Sequence, residues 1–190
     1  MATVALSWTW IYVVSGETWT RSIRKKLLDE GLDEEQLQCA VYVIRLCGEF
    51  LIRYPGGKSP VVYIGEGNLQ QRLASHNKLK SWMHGLAPLI DGYSFEIGVV
   101  CPRVRRSPNT YKDLEAHLIY RFADLFGCIP LRNLQFETQV CEHKYSEKAV
   151  NRALKIGQGV KYHWAVEPLK SVGPLYDNYH TGWNKTKALS

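Results

Sequence analysis

The side chains with chemical potential stand in a definite order along this chain of 190 residues. Tyr42 closes the triplet Ala40-Val41-Tyr42, and Tyr63 opens the triplet Tyr63-Ile64-Gly65. Arg72 and His76 follow in Arg-Leu-Ala-Ser-His, then Glu115, then Asn133. A glutamate is a hard oxygen ligand for a small divalent cation. An arginine offers a planar fork to a pair of anionic oxygens. Histidine can take or relay a proton, and tyrosine can do so once its ordinary pKa of about 10 is lowered. Each residue also has a plainer reading. Tyr42 and Tyr63 suit a cross-strand aromatic pair. Arg72 and His76 suit an exposed helical face, Glu115 a pairing with Lys112 or solvent, and Asn133 a turn cap.

Any chemistry depends on the elements that carry these residues. Val41 to Ile44 is a β-prone run, Glu49 to Tyr54 alternates apolar and polar residues, and Val61 to Ile64 predicts a further strand. Between them, Pro55-Gly56-Gly57-Lys58-Ser59-Pro60 has the composition of a turn. Asn68 is a good helix N-cap with Gln71 at the capping-box position, predicting a helix to about Trp82. Tyr93 to Cys101 alternates as a strand that Pro102 ends. Thr110 to Phe126 has helical spacing, with Leu114, Leu118, Phe122 and Leu125 along one side and Gly127 as its stop. Upstream, residues 2–14 predict a strand, and Glu17 to Glu30 a helix with Trp19, Ile23, Leu27 and Leu28 on one face, ended by Gly31. Leu32 to Leu37 predicts a short helical turn. Ser146 to Ile156 is helix-like, and beyond it no period is clear.

In this order of strands and helices, the two triplets, the Arg–His pair, the helical Glu and the later Asn resemble the GIY-YIG nuclease superfamily over about residues 39–135. Tyr63-Ile64-Gly65 matches the second family triplet in full. Ala40-Val41 replaces the Gly-Ile of the first and keeps Tyr42. The interval from Tyr42 to Tyr63 is longer than in compact members, and the surplus falls in the Arg53 to Pro60 region, where a longer hairpin absorbs it. The interval from Gly65 to Arg72 is one residue shorter than in many members, which the Glu66-Gly67 turn must accommodate.

The resemblance implies an α/β (α+β) fold: a small, mainly antiparallel central sheet flanked by helices. It implies three parts on one core, namely an extension at 1–38, a nuclease core at 39–135 and a basic, aromatic extension at 136–190. It further implies a Mg²⁺-dependent endonuclease, Mn²⁺ being a possible substitute, that hydrolyses phosphodiester bonds in DNA. Double-stranded DNA and a restriction or host-defence role are the expectation, with a homodimer on DNA supplying two active sites. In this scheme Glu115 holds the metal and Arg72 the scissile phosphate. Tyr42 deprotonates water with help from neighbouring cations, and His76 takes or relays that proton. Tyr63 orients phosphate or water, and Asn133 supports the site through hydrogen bonds. Three other readings stay open: an inactive nucleic-acid- or partner-binding module on this fold, a nuclease for RNA or modified DNA, and an unrelated α/β protein.

Composition agrees in outline. The formal charge is +6, and pI is near 9.0. Residues 1–38 carry 4 basic and 6 acidic side chains, residues 39–140 carry 12 and 8, and residues 141–190 carry 8 and 4, so the excess lies in the middle and the tail. A basic balance suits a polyanion. Arg103, Arg105 and Arg106 in the loop before the Glu115 helix, Lys58 in the hairpin, and Lys148, Arg152, Lys155 and Lys161 near the tail are the candidate contacts to nucleic acid. Five cysteines without a paired spacing read as reduced thiols in a reducing cytoplasm. No apolar run reaches the length of a membrane span, and no signal peptide is expected. His84, His117, His143, His163 and His180 lack metal-like spacing and read as surface or tail residues.

Overall fold

The computed structural model describes residues 3–14, 17, 22–47, 50–75, 94–105, 107–141, 143–154 and 164–166. In chain order these form β1 (Thr3–Val4), β2 (Thr9–Val14), α1 (Arg24–Asp29), a 3-10 turn (Gln36–Cys39), β3 (Ala40–Cys47), β4 (Phe50–Tyr54), β5 (Gly57–Ser59) and β6 (Val61–Gly67). Then follow α2 (Leu69–Ser75), β7 (Ser94–Val100), α3 (Thr110–Phe126), β8 (Lys144–Tyr145), α4 (Glu147–Leu154) and β9 (Trp164–Val166).

β-branched and aromatic runs make the central sheet, since such side chains suit a pleated, packed surface. Its strand order is β2-β7-β3-β6, antiparallel at every pairing. The middle strand β3 is covered on both faces: Ala40, Val41, Tyr42, Val43 and Ile44 are all fully buried. Helix α3 lies against β3 and β6 and buries Leu114, Leu118, Ile119 and Phe122. Each such side chain contributes roughly 1.5–3 kcal/mol on leaving water. Gly127, at φ +80°, ends α3 with its N–H on the Ala123 carbonyl. The protein is thus mixed α/β, with a mainly antiparallel sheet flanked by helices. No helix among the described residues is long and apolar enough to cross a membrane.

Both chain extensions join this core. Strand β2 pairs with β7 along its full length, and the Trp10 ring lies over Gly98, where a Cβ would sit 2.4 Å from ring carbon. Arg45 stacks its guanidinium on Trp10 at 3.8 Å and bonds Glu96 at 3.1 Å. Its Nε donates to the Ala153 carbonyl at 2.9 Å, and Nη2 donates to that of Arg152. One buried cation thereby satisfies the last carbonyls of α4 and favours its negative end. At the outer edge of the sheet, Lys26 donates to the Tyr12 carbonyl at 2.6 Å and pairs with Glu17 at 2.7 Å. Glu17 in turn accepts the Val14 N–H at 2.9 Å.

Several boundaries differ from expectation. The predicted strand over residues 2–14 is two strands, and β1 pairs with β8 rather than with the central sheet. The turn predicted at 55–60 is shorter, because Gly57–Ser59 pairs with Ile52–Tyr54 as β5. Gly56 then packs on the C-terminal end of α3, its N–H bonded to the Phe126 carbonyl at 2.8 Å. The helix predicted from Glu17 is described over Arg24–Asp29, where Ile23 and Leu27 are buried as expected. Trp19 lies outside the described residues, as does the stretch from 76 to 82.

Candidate active site

The register of β3 and β6 sets Tyr42 directly across from Gly65, and period two puts Tyr63 on the same face as Gly65. Glycine is what lets both rings settle there. A Cβ on Gly65 would lie 2.6 Å from the Tyr63 ring and 2.7 Å from Cζ and the hydroxyl of Tyr42. The rings stand 5.8 Å apart, tilted by 43°, and the two hydroxyls are hydrogen-bonded. Tyr42 is fully buried, whereas Tyr63 is half-buried at the sheet edge.

Asn133 holds that edge in place. Its Oδ1 accepts the Ile64 N–H at 3.0 Å, and its Nδ2 donates to the Ile64 carbonyl at 2.8 Å. The neighbouring Arg132 N–H reaches the Val62 carbonyl at 3.0 Å, so the loop runs along β6 as a substitute strand. The residue between Tyr63 and Gly65 is therefore pinned through its backbone.

Arg72 returns to the end of β6 through a tight turn. Gly67 takes φ +104°, and Asn68 caps α2 by accepting the Gln71 N–H at 3.0 Å. Leu69 and Leu73 are buried, which leaves Arg72 on the flank of α2. Its Nε donates to the Glu66 carbonyl at 3.1 Å, and Nη2 lies 3.7 Å from the Glu66 carboxylate. The charge of Arg72 acts on Tyr42, Tyr63 and Glu115.

Glu115 sits in the buried stripe of α3, at 8% exposure. Burial foremost, then the like charges of Glu66 and Glu137, push its carboxyl up to about 8, with Arg72 opposing. Burial also raises the phenols of Tyr42 and Tyr63 above their usual range; Arg72 opposes in both cases. The cationic lowering of Tyr42 that the sequence reading required is thus outweighed: desolvation favours the neutral phenol.

Among the described residues no group of three or more His, Cys, Asp or Glu side chains is placed to share a metal ion. The surroundings of Glu115 nonetheless fit a cation. Glu115 is the hard oxygen donor of the set, and the negative charges of Glu66 and Glu137 act on it. A hard cation held by one protein carboxylate would keep most of its waters.

No protein-family model, curated protein or solved structure matches this chain.

Tyr42, Tyr63, Arg72, Glu115 and Asn133 thus meet around one end of β6. Other candidates lie elsewhere. His76, Arg106, Lys155 and Lys161 are outside the described residues. Lys58 is exposed on a hairpin docked at Phe126, about 16 Å along α3 from Glu115 at 1.5 Å per residue. Arg103 and Arg105 are exposed in the loop before α3, Arg103 lying 3.9 Å from the exposed Glu35. Lys148 and Arg152 are exposed on α4, which shares a cleft with His117, Tyr120, Arg121 and Asp124 of α3. At about 100° per residue, that face is turned away from Glu115. Sequence reasoning missed Glu66 and Glu137. Glu66 follows Gly65 directly and Glu137 lies just past Asn133, so proximity to motif residues was the available signal.

Proposed function

We propose that this protein is a Mg²⁺-dependent endonuclease of GIY-YIG type that hydrolyses phosphodiester bonds in DNA. The observation that carries this reading is the convergence at Gly65: two hydrogen-bonded tyrosines lie within the fields of Arg72 and Glu115, which come from separate helices. When bound at Glu115, Mg²⁺ supplies charge stabilisation to a phosphoryl oxygen and lowers the pKa of a coordinated water. Arg72, with its side chain about half exposed, offers its fork to the scissile phosphate. Tyr42 stays a neutral phenol and donates to Tyr63, which directs the Tyr63 O–H onward to water or to a phosphoryl oxygen. Tyr42 is then a positioning donor rather than the base. Asn133 maintains the register that aligns both rings.

Plasmid nicking with Mg²⁺ or Mn²⁺ tests this, comparing the wild type with Glu115→Ala, Arg72→Ala and Tyr42→Phe. Loss of nicking in Glu115→Ala and Arg72→Ala is expected. Equal nicking by all four proteins, or none by the wild type on DNA, overturns the assignment. A second reading, a nucleic-acid-binding module without catalysis, draws on the raised phenol of Tyr42. It predicts DNA binding without cleavage in the same samples.

A further inference from the structure

Glu66, the residue after the Tyr63-Ile64-Gly65 triplet, takes no part in the proposed chemistry, yet it meets Arg72 twice. Its carbonyl accepts the Arg72 Nε–H at 3.1 Å, and its carboxylate stands 3.7 Å from Nη2. The two side chains differ in setting: that of Glu66 is 15% exposed and that of Arg72 54%. A largely enclosed carboxylate thus faces a guanidinium that reaches towards solvent.

The turn between β6 and α2 brings them together. Glu66 lies opposite Val41 near the end of β6, and Gly67 at φ +104° swings the chain into α2. Asn68 closes the first helical turn, accepting the Gln71 N–H on its side chain and the Arg72 N–H on its carbonyl. The Arg72 side chain is thereby returned to a residue six positions earlier. The charge of Glu66 also reaches α3, where it acts on Glu115 and Tyr111.

Arginine has a long stem with many rotamers, and its fork serves a phosphate only when the plane is set. An exposed ion pair alone holds such a stem weakly. Here the backbone bond at Nε already removes part of that freedom, and the enclosed carboxylate then selects which way the plane turns. Arginine carries several N–H donors, so these two contacts do not use up its fork.

We propose that Glu66 is a positioning residue for Arg72: its carbonyl and carboxylate together set the plane of the guanidinium that meets the scissile phosphate. The catalytic consequence rests on the nuclease reading; the hold on Arg72 does not.

Two measurements on the full chain test this and keep those parts separate. By NMR relaxation of arginine Nε–H groups, Arg72 should be ordered in the wild type and looser in Glu66→Ala. In Glu66→Gln, whose amide oxygen still accepts, it should stay close to wild type. In plasmid nicking at saturating Mg²⁺, Glu66→Ala should lower kcat about tenfold and leave KM within about twofold. Glu66→Gln should restore most of kcat, and thermal melts check that both variants fold. Equal Nε order in the wild type and Glu66→Ala, or wild-type kcat in Glu66→Ala, overturns the proposal. So does a defect of Glu66→Gln at low Mg²⁺ that excess Mg²⁺ cures, which would make Glu66 a metal ligand instead. A wild type that does not nick DNA, but whose Arg72 is loosened by Glu66→Ala, keeps the hold and overturns the nuclease reading.

Discussion

Asn133 engages both backbone groups of Ile64, accepting its N–H at 3.0 Å and donating to its carbonyl at 2.8 Å. Asparagine suits this because its amide carries a donor and an acceptor side by side. Asn133→Asp keeps the acceptor but sets a carboxylate against the Ile64 carbonyl, so it should destabilise the protein by about 1–3 kcal/mol. Thermal melts check the stability change, and nicking assays should show activity falling with it as the edge carrying Tyr63 loosens.

Gly65→Ala is the sharper test of the tyrosine pair. Its Cβ would stand 2.7 Å from the Tyr42 hydroxyl and 2.6 Å from the Tyr63 ring. Overpacking of this kind costs about 1–3 kcal/mol, and moving reactive groups by an ångström costs about a hundredfold in rate. Activity should therefore fall well beyond what the melting temperature accounts for. Wild-type turnover in this variant would mean that the two rings do not act at the site.

The Glu115 carboxyl sets a pH dependence with a definite sign. Its folded pKa of about 8 exceeds the ordinary 4.5, so the folded state holds a proton that the unfolded state releases in that window. This contribution to stability is full below the ordinary pKa and is lost as pH rises to about 8. Glu115→Gln should remove that slope and be the more stable protein at pH 8–9 without metal, as denaturant titrations across pH would show.

On the proposed nuclease reading, metal affinity at the same group would run the other way. Mg²⁺ needs the ionised carboxylate, so the metal concentration for half-maximal activity should fall as pH rises towards about 8 and level off above it. Nicking rates measured over a grid of pH and Mg²⁺ check this. A metal requirement independent of pH over that range would contradict a role for Glu115 in holding the ion.

Arg45→Met should be among the most damaging core substitutions. It leaves Glu96 without its 3.1 Å partner and frees the terminal carbonyls of α4. Leaving these desolvated groups without their partner costs about 1–3 kcal/mol each. Hydrogen exchange should show α4 losing protection before the central sheet.

Legibility in the sequence followed the range of the interactions. Helix α3 could be bounded at Thr110 and Phe126 because an apolar stripe and Gly127 are local signals. Asn68 announced the start of α2 for the same reason. Gly57-Lys58-Ser59 read as a turn because its strand character comes from pairing with β4, not from propensity. The raised carboxyl of Glu115 was hidden, since its burial, and then the approach of Glu66 and Glu137, arise only once the chain has folded. His117 and His143 read as surface residues, although both line a cleft that requires β8 and α3 together.

The Lys26–Glu17 pair on the outer rim of β2 has a bearing on assembly. It occupies the Tyr12 carbonyl and the Val14 N–H, two of the backbone groups through which a neighbouring chain would extend the sheet. A foreign strand pairing there must first displace these two charged bonds. Tyr12 and Val14 can thus stay exposed there without inviting chain-to-chain sheet growth.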